Sequence, residues 1–186
     1  QLVQAISVNS NTADLTYEIF VRNMGNVVLN DINATDDLGM AFGASNVSNV
    51  TISFVPGPND AGLLLNPHYN GTTVVNMLQP QQNLQNQTAT NTNYFFKIRL
   101  QCRVTNLQPG TTYLNSAVGK ATINNVIDQI NISDSSNNGT PNMVDPNYDG
   151  NASGAGENVP TPFSISVLPI RLLSLDAKWQ QKNTAI

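Results

Sequence analysis

Hydrophobic and polar residues alternate with a period of two along much of the chain. In residues 14–22, DLTYEIFVR, one face carries Leu15, Tyr17, Ile19 and Val21. In residues 94–104, YFFKIRLQCRV, one face carries Phe96, Ile98, Leu100, Cys102 and Val104. This alternation is typical of antiparallel β-strands that bury one face and expose the other to water. Both segments are therefore predicted to be strands of a half-buried sheet.

Further segments with β character are separated by turn sequences rich in Gly, Pro and Asn. They are residues 2–8, 26–35, 50–55, 72–78, 113–123 and 163–167. Strong helical periodicity is absent. Seven to nine short strands with such spacing indicate two packed sheets. We therefore expect an all-β fold, an immunoglobulin-like Greek-key β-sandwich.

The hydrophobic pattern also divides the chain into three parts. Residues 1–130 are predicted to form the β-sandwich module. Residues 131–162 are poor in apolar side chains and form an acidic, calcium-type loop. Residues 163–186 regain the alternation and hold the single tryptophan, Trp179. This last part is predicted to be a final strand and the start of a truncated following domain.

The polar residues of the chain are mostly uncharged, which narrows the class of protein. Charged residues make up 11% of the 186 residues, against roughly a quarter in an average protein. The net charge is −4 and no basic patch is present, so nucleic acid is not an expected partner. No apolar run approaches the roughly 20 residues of a transmembrane helix, so membrane insertion is not expected. The composition favours an extracellular or cell-surface protein.

Within the acidic segment, residues 145–151 read DPNYDGN and resemble the first half of a calcium loop. Side-chain oxygens at alternate positions, followed by a glycine that lets the backbone bend, bring several ligands to one hard cation. The predicted calcium ligands are Asp145, Asn147, Asp149, Asn151, Glu157 and Asp134. The second half departs from the EF-hand, because the twelfth position is Gly156 and the acid follows it.

Charge supports a bound cation in this segment. Five acidic residues and no Lys or Arg lie between Lys120 and Arg171. Such a block of negative charge resists compaction unless a counter-ion neutralises it. The alternative is a solvated linker, which low hydrophobicity and abundant Gly, Asn and Ser also fit.

Other residues of types that act in catalysis or metal binding have simpler interpretations. His68, the only histidine, is expected on a surface turn, and Cys102 is expected to be a buried apolar residue. Asp36 and Asp37, at a strand end, are expected to cap a turn or to bind a second cation. Because no nucleophile or phosphate-loop motif accompanies them, we do not expect an enzyme.

Four stretches, in order, resemble one kind of bacterial protein. NMGNVVLNDINATDDLGMAF, residues 23–42, and TNLQPGTTYLNSAVGKATI, residues 105–123, resemble the bacterial conserved-repeat domain, also called domain of unknown function eleven. Residues 133–162 resemble the acidic tail that follows such repeats in surface proteins of Bacteroidetes. LPIRLLSLDAKWQQKNTAI, residues 168–186, is similar to the start of the fibronectin-like region associated with type IX secretion.

The resemblance implies a secreted or cell-surface multidomain protein in which repeats act as spacers or adhesive modules. We therefore expect a non-enzymatic structural or adhesive module, stiffened by calcium. Its expected partners are neighbouring domains, with surface glycans or other cells as further possibilities. One alternative is a carbohydrate-binding module with Tyr69, Tyr113 and Tyr148 as an aromatic platform. Another is an accessory domain of a larger secreted enzyme.

Overall fold

The computed structural model describes residues 1–56, 62–88, 93–124, 129–138 and 156–166. Nine β-strands lie in these residues. They are β1 (Leu2–Asn9), β2 (Thr12–Arg22), β3 (Asn30–Asp36), β4 (Val47–Phe54), β5 (Phe95–Val104), β6 (Thr112–Asn115), β7 (Ala117–Asn124), β8 (Gln129–Ser135) and β9 (Thr161–Ser164). A short helix, α1 (Leu38–Phe42), and a 3-10 turn (Ala44–Asn46) connect β3 to β4.

The strands form two antiparallel sheets and a small ribbon. The first sheet has the order β1-β2-β5-β4 and the second has the order β3-β7-β8. In immunoglobulin lettering these are strands A-B-E-D and C-F-G, the arrangement of a constant-type domain. Strands β6 and β9 pair with each other as the ribbon. The predicted all-β, immunoglobulin-like sandwich is confirmed.

The predicted alternation in β2 and β5 is also confirmed. Leu15, Tyr17 and Ile19 are buried, as are all five inward positions of β5. The two strands pair along their whole length. On their outer face, Arg99 and Lys97 flank Glu18, and Arg103 forms two hydrogen bonds with Asp14. Hydrogen bonding to the arginines lowers the pKa of both carboxyls. These pairs lie at the surface, so each contributes little to stability.

Two of the motifs seen in the sequence have clear structural roles. In NMGN, the buried Asn23 side chain donates to the carbonyl of Val27 (2.8 Å) and accepts from the N–H of Gly25 (3.0 Å). It thereby fixes the turn that follows β2. In LQPGTTY, the N–H of Gln108 donates to Tyr113 Oη (2.8 Å). This bond has the form of the tyrosine corner of immunoglobulin-like domains.

The structure differs from the predicted strands in three places before the acidic segment. The strand predicted over residues 26–35 begins only at Asn30, because residues 23–27 form the turn that the Asn23 side chain fixes. Residues 72–78 make isolated bridges instead of a strand, because Asn70 Oδ1 accepts from the N–H groups of residues 72, 73 and 74 and holds a turn. Residues 113–123 are two strands, β6 and β7, which break at Ser116 and pair with different partners. Hydrophobic alternation continues through such a break and does not reveal it.

The predicted start of the acidic loop at residue 131 is too early, because β8 continues to Ser135. Strand β8 lies at the edge of its sheet and its side chains are exposed or half-buried. An exposed edge strand has little hydrophobic pattern, so the sequence signal was weak. Within the described ranges, no helix has the length and apolar character needed to span a lipid bilayer.

Candidate functional site

Most of the predicted calcium ligands fall outside the described residues. Asp145, Asn147, Asp149 and Asn151 lie between residues 138 and 156, so their role stays a prediction. Asp134 and Glu157 are described, and each lies close to one end of that interval. The part of the chain that the structure describes contains no group of three or more His, Cys, Asp or Glu side chains placed to hold a metal.

The two ends of the acidic segment meet in space. After β8, the N–H of Ser136 donates to the Ala117 carbonyl (2.7 Å), and Ser136 Oγ accepts from the N–H of Ala117 (2.9 Å). The next residue, Asn137, donates from Nδ2 to the Gly156 carbonyl (3.5 Å). Gly156 has φ = 87°, a left-handed conformation that suits glycine. The chain therefore returns to the end of β8 directly before Glu157.

Glu157 is the most buried acidic residue of the described chain, with 1% of its surface exposed. A carboxylate in such a place requires hydrogen bonds, a proton or a cation. Asn137 Oδ1 is also buried and, within the described ranges, accepts no hydrogen bond. Sequence reasoning missed Asn137 because it lies outside residues 145–151, where the side-chain oxygens alternate.

The oxygen atoms around this junction match the ligand type that calcium prefers. Asn137 and Glu157 supply amide and carboxylate oxygens, and no cysteine or histidine is near them in the sequence. Hard cations such as calcium take oxygen ligands of these kinds. Two described side chains do not complete a six-coordinate shell, so a calcium ion here depends on oxygens from residues 139–155.

A second polar cluster lies in the core, and the sequence did not predict it. Asp36, at the end of β3, is 2% exposed. Asn115 Nδ2 donates to Asp36 Oδ2 (2.9 Å), and Tyr69 Oη donates to the Asp36 carbonyl (3.1 Å). Burial raises the pKa of Asp36 to about 7, against the opposing effect of the Asn115 hydrogen bond. The second oxygen of Asp36 and the amide oxygen of Asn115 have no hydrogen-bond partner among the described residues.

This cluster joins three connections of the sandwich. Asp36 ends β3, Asn115 ends β6, and Tyr69 belongs to the long segment between β4 and β5. All three side chains are almost completely shielded from water. In this conformation a substrate cannot reach the Asp36 carboxyl, so the arrangement is suited to tying chain segments together.

Asp37 has a different role from its neighbour. Its carboxylate accepts from the N–H of Met40 (3.0 Å) and caps the first turn of α1. The expectation of a capping residue is confirmed for Asp37. Asp36 is a buried strand residue that does not cap the turn.

The structure also locates the other residues that the sequence singled out. His68 is exposed and lies in a turn, and Cys102 is buried, as predicted. The aromatic platform proposed for carbohydrate binding is not present among the described tyrosines. Tyr69 is buried, and Tyr113 is half-buried, with its ring against Phe42. Tyr148 lies outside the described residues.

Comparisons with known proteins add no relative. No family model, no curated protein and no solved structure matches the chain.

Proposed function

We propose that this chain is a non-enzymatic structural or adhesive module of a bacterial surface or secreted multidomain protein, stiffened by calcium. In this proposal the immunoglobulin-like sandwich is a rigid body that transmits force or spacing between neighbouring domains. Calcium bound in the β8–β9 connection holds that connection against the sandwich. The observation that carries the proposal is the meeting of Asn137 and Gly156 at the two ends of the acidic segment.

This meeting point reduces the entropy cost of ordering the segment. Strand β8 is fixed by β7 and strand β9 is fixed by β6. A connection that is anchored at both ends has already lost part of its freedom, so a cation has less chain to order than in an open tail. The oxygen ligands predicted at Asp145, Asn147 and Asp149 lie within this connection.

The expected energetic effect of calcium is modest and measurable. Extracellular calcium modules bind with Kd values of about 10⁻⁴ to 10⁻³ M. At roughly 10 mM free calcium, binding to the folded state alone adds about 1.4 to 2.7 kcal/mol. For a domain of this size, that corresponds to an increase in Tm of several degrees.

Thermal unfolding with calcium and with chelator tests the proposal. We expect calcium to raise Tm in the native chain, with binding heat in a calorimetric titration. The double variant Asp145→Asn, Asp149→Asn should lose both responses. Asp31→Asn is the matched control, because Asp31 is an exposed acid in a left-handed conformation that asparagine tolerates. If the native chain shows neither a Tm change nor heat, the segment is a solvated linker.

A further inference from the structure

The β6–β9 ribbon depends on its contacts with the rest of the sandwich. Its two strands have four residues each and, among the described residues, pair only with each other. A two-stranded ribbon alone is marginally stable in water. The rings of Tyr113 and Phe163 pack against Phe42 of α1, with centroids 5.5 and 6.4 Å away. A polar link joins Asn115, the last residue of β6, to Asp36 of β3. Loss of this link should therefore loosen the ribbon before the two sheets.

Two buried oxygen atoms of this link lack a hydrogen-bond donor. Asn115 Nδ2 donates to Asp36 Oδ2 (2.9 Å), which leaves one oxygen on each side chain. Asp36 Oδ1 and Asn115 Oδ1 are both shielded from water, and neither accepts a hydrogen bond within the described ranges. Buried polar atoms without partners are unfavourable and rare in folded proteins. One donor shared between these two oxygens would remove both deficits.

A proton on Asp36 supplies that donor. An ionised carboxyl group only accepts hydrogen bonds, whereas a protonated one also has an O–H group. With the proton on Oδ1, Asp36 can donate to Asn115 Oδ1 while its Oδ2 still accepts from Asn115 Nδ2. The acid and the amide then share two hydrogen bonds that run in opposite directions. Burial, which raises the pKa of Asp36 to about 7, favours the same neutral form.

The groups around Asp36 leave its charge without a strong counter-charge. Burial raises the pKa values of three neighbouring groups, which are therefore neutral near pH 7: Tyr17 of β2, Tyr69 and Cys102 of β5. The adjacent acid, Asp37, raises the pKa of Asp36, and the N-terminal ammonium of Gln1 lowers it by less than burial raises it. No lysine or arginine of the described chain contributes to the shift. An ionised Asp36 would thus be a buried charge without a close cation, which is costly.

We propose that Asp36 and Asn115 form a proton-dependent link between β3 and the ribbon, in which neutral Asp36 donates from Oδ1 to Asn115 Oδ1. When Asp36 ionises, its proton passes to water and Asn115 Oδ1 loses its donor. The ribbon then opens locally and admits water to the carboxylate, while the two sheets stay folded. The link responds to protons and needs no calcium, so it stands independently of the function proposed above.

An NMR titration of the native chain from about pH 5 to about pH 8 tests the link. The side-chain carboxyl carbon of Asp36 reports its ionisation. Hydrogen exchange of the ribbon N–H groups, corrected for the intrinsic rate at each pH, reports local opening. The N–H groups of the β2–β5 pairing are the internal control. Chelator is present throughout, so that the proposed calcium site does not contribute.

We expect Asp36 to titrate well above the ordinary aspartate pKa of about 3.9. As it ionises, protection of the ribbon should decrease about tenfold relative to the β2–β5 pairing, the effect of one lost hydrogen bond. An ordinary pKa for Asp36 overturns the proposal. Ribbon protection that stays parallel to the β2–β5 pairing across the titration also overturns it.

Two variants separate the link from a general effect of pH. Asp36→Asn cannot ionise but retains a donor and an acceptor for Asn115, so its ribbon protection should stay constant over the titration. Asp37→Asn is the matched control, because it removes the neighbouring charge and keeps the cap of α1. It should retain the decrease seen in the native chain. The same decrease in Asp36→Asn as in the native chain contradicts the proposal.

Discussion

Replacing Asp36 with asparagine removes a titratable group from the core and retains the oxygen that accepts from Asn115. Asp36 is 2% exposed, and burial raises its pKa to about 7. In the unfolded chain the pKa of an aspartate is about 3.9. The folded chain therefore holds the proton over a pH range in which the unfolded chain has released it. This difference makes the free energy of unfolding depend on pH.

The sign of the dependence follows from the raised pKa. Below about pH 4, Asp36 is neutral in both states, and the folded state carries no penalty for its charge. Between about pH 4 and about pH 7, stability falls as pH rises, by at most about 1.4 kcal/mol per pH unit. Above about pH 7 the loss is complete and amounts to at most about 4 kcal/mol. Glu18 and Asp14, whose pKa values are lowered, act in the opposite direction and mainly at lower pH.

Urea unfolding followed by circular dichroism, from about pH 4 to about pH 8, measures the effect. The Asp36→Asn variant and the native chain should have similar stability at the acidic end. At the alkaline end the variant should be more stable, and the difference between the two curves should increase through the interval. Asp37→Asn, which loses the same charge and keeps its cap, should retain most of the native pH dependence, because burial is a larger cause of the raised pKa of Asp36 than the Asp37 charge. A difference between Asp36→Asn and the native chain that does not change with pH would refute the reasoning.

Two further predictions concern the core and its turns. Burial raises the pKa of the Cys102 thiol to about 12, so the thiol should react with a disulfide reagent only after unfolding in urea; rapid reaction in the folded chain would contradict its burial. Gly71→Ala should lower the urea midpoint more than Gly62→Ala does. Both glycines have φ near 70°, but a Cβ at Gly71 would lie 2.7 Å from Leu38 Cδ1. At Gly62, no atom of the described residues would lie within 4 Å of a Cβ. Equal decreases in the urea midpoint would show that Leu38 moves away from the new Cβ without loss of stability.

The sequence predicted the sandwich because its central strands bury one face. In β2 and β5 each inward position faces the opposite sheet, so selection for burial leaves a period of two. Strand β8 lacks that constraint, since it lies at an edge with exposed side chains. The turn at Asn70 depends on one side chain that accepts several backbone bonds, which hydrophobic periodicity does not report.

The polar cluster of the core was hidden for a different reason. Asp36 and Asn115 are 79 residues apart in the chain, and their pairing depends on how β3 and β6 are arranged. Sequence reasoning could interpret Asp36 only with its neighbour Asp37, as a capping or cation-binding pair. The local pattern identified the cap correctly at Asp37. The burial of Asp36, which sets its pKa, comes from tertiary packing alone.

A groove of about 600 Å³ between β2 and β7 illustrates a further limit of the hydrophobic pattern. Ile19 and Val21 continue the inward series of β2 without a change in residue type, yet Val21 is only half-buried. Alternation identifies the residues that face the other sheet, but it does not say whether neighbouring strands cover them. On β7 the complementary signal is the small side chains of Ala117, Gly119 and Ala121. Because small residues are common in strands that pack closely, that signal indicates a groove only after the structure shows the space above Gly119.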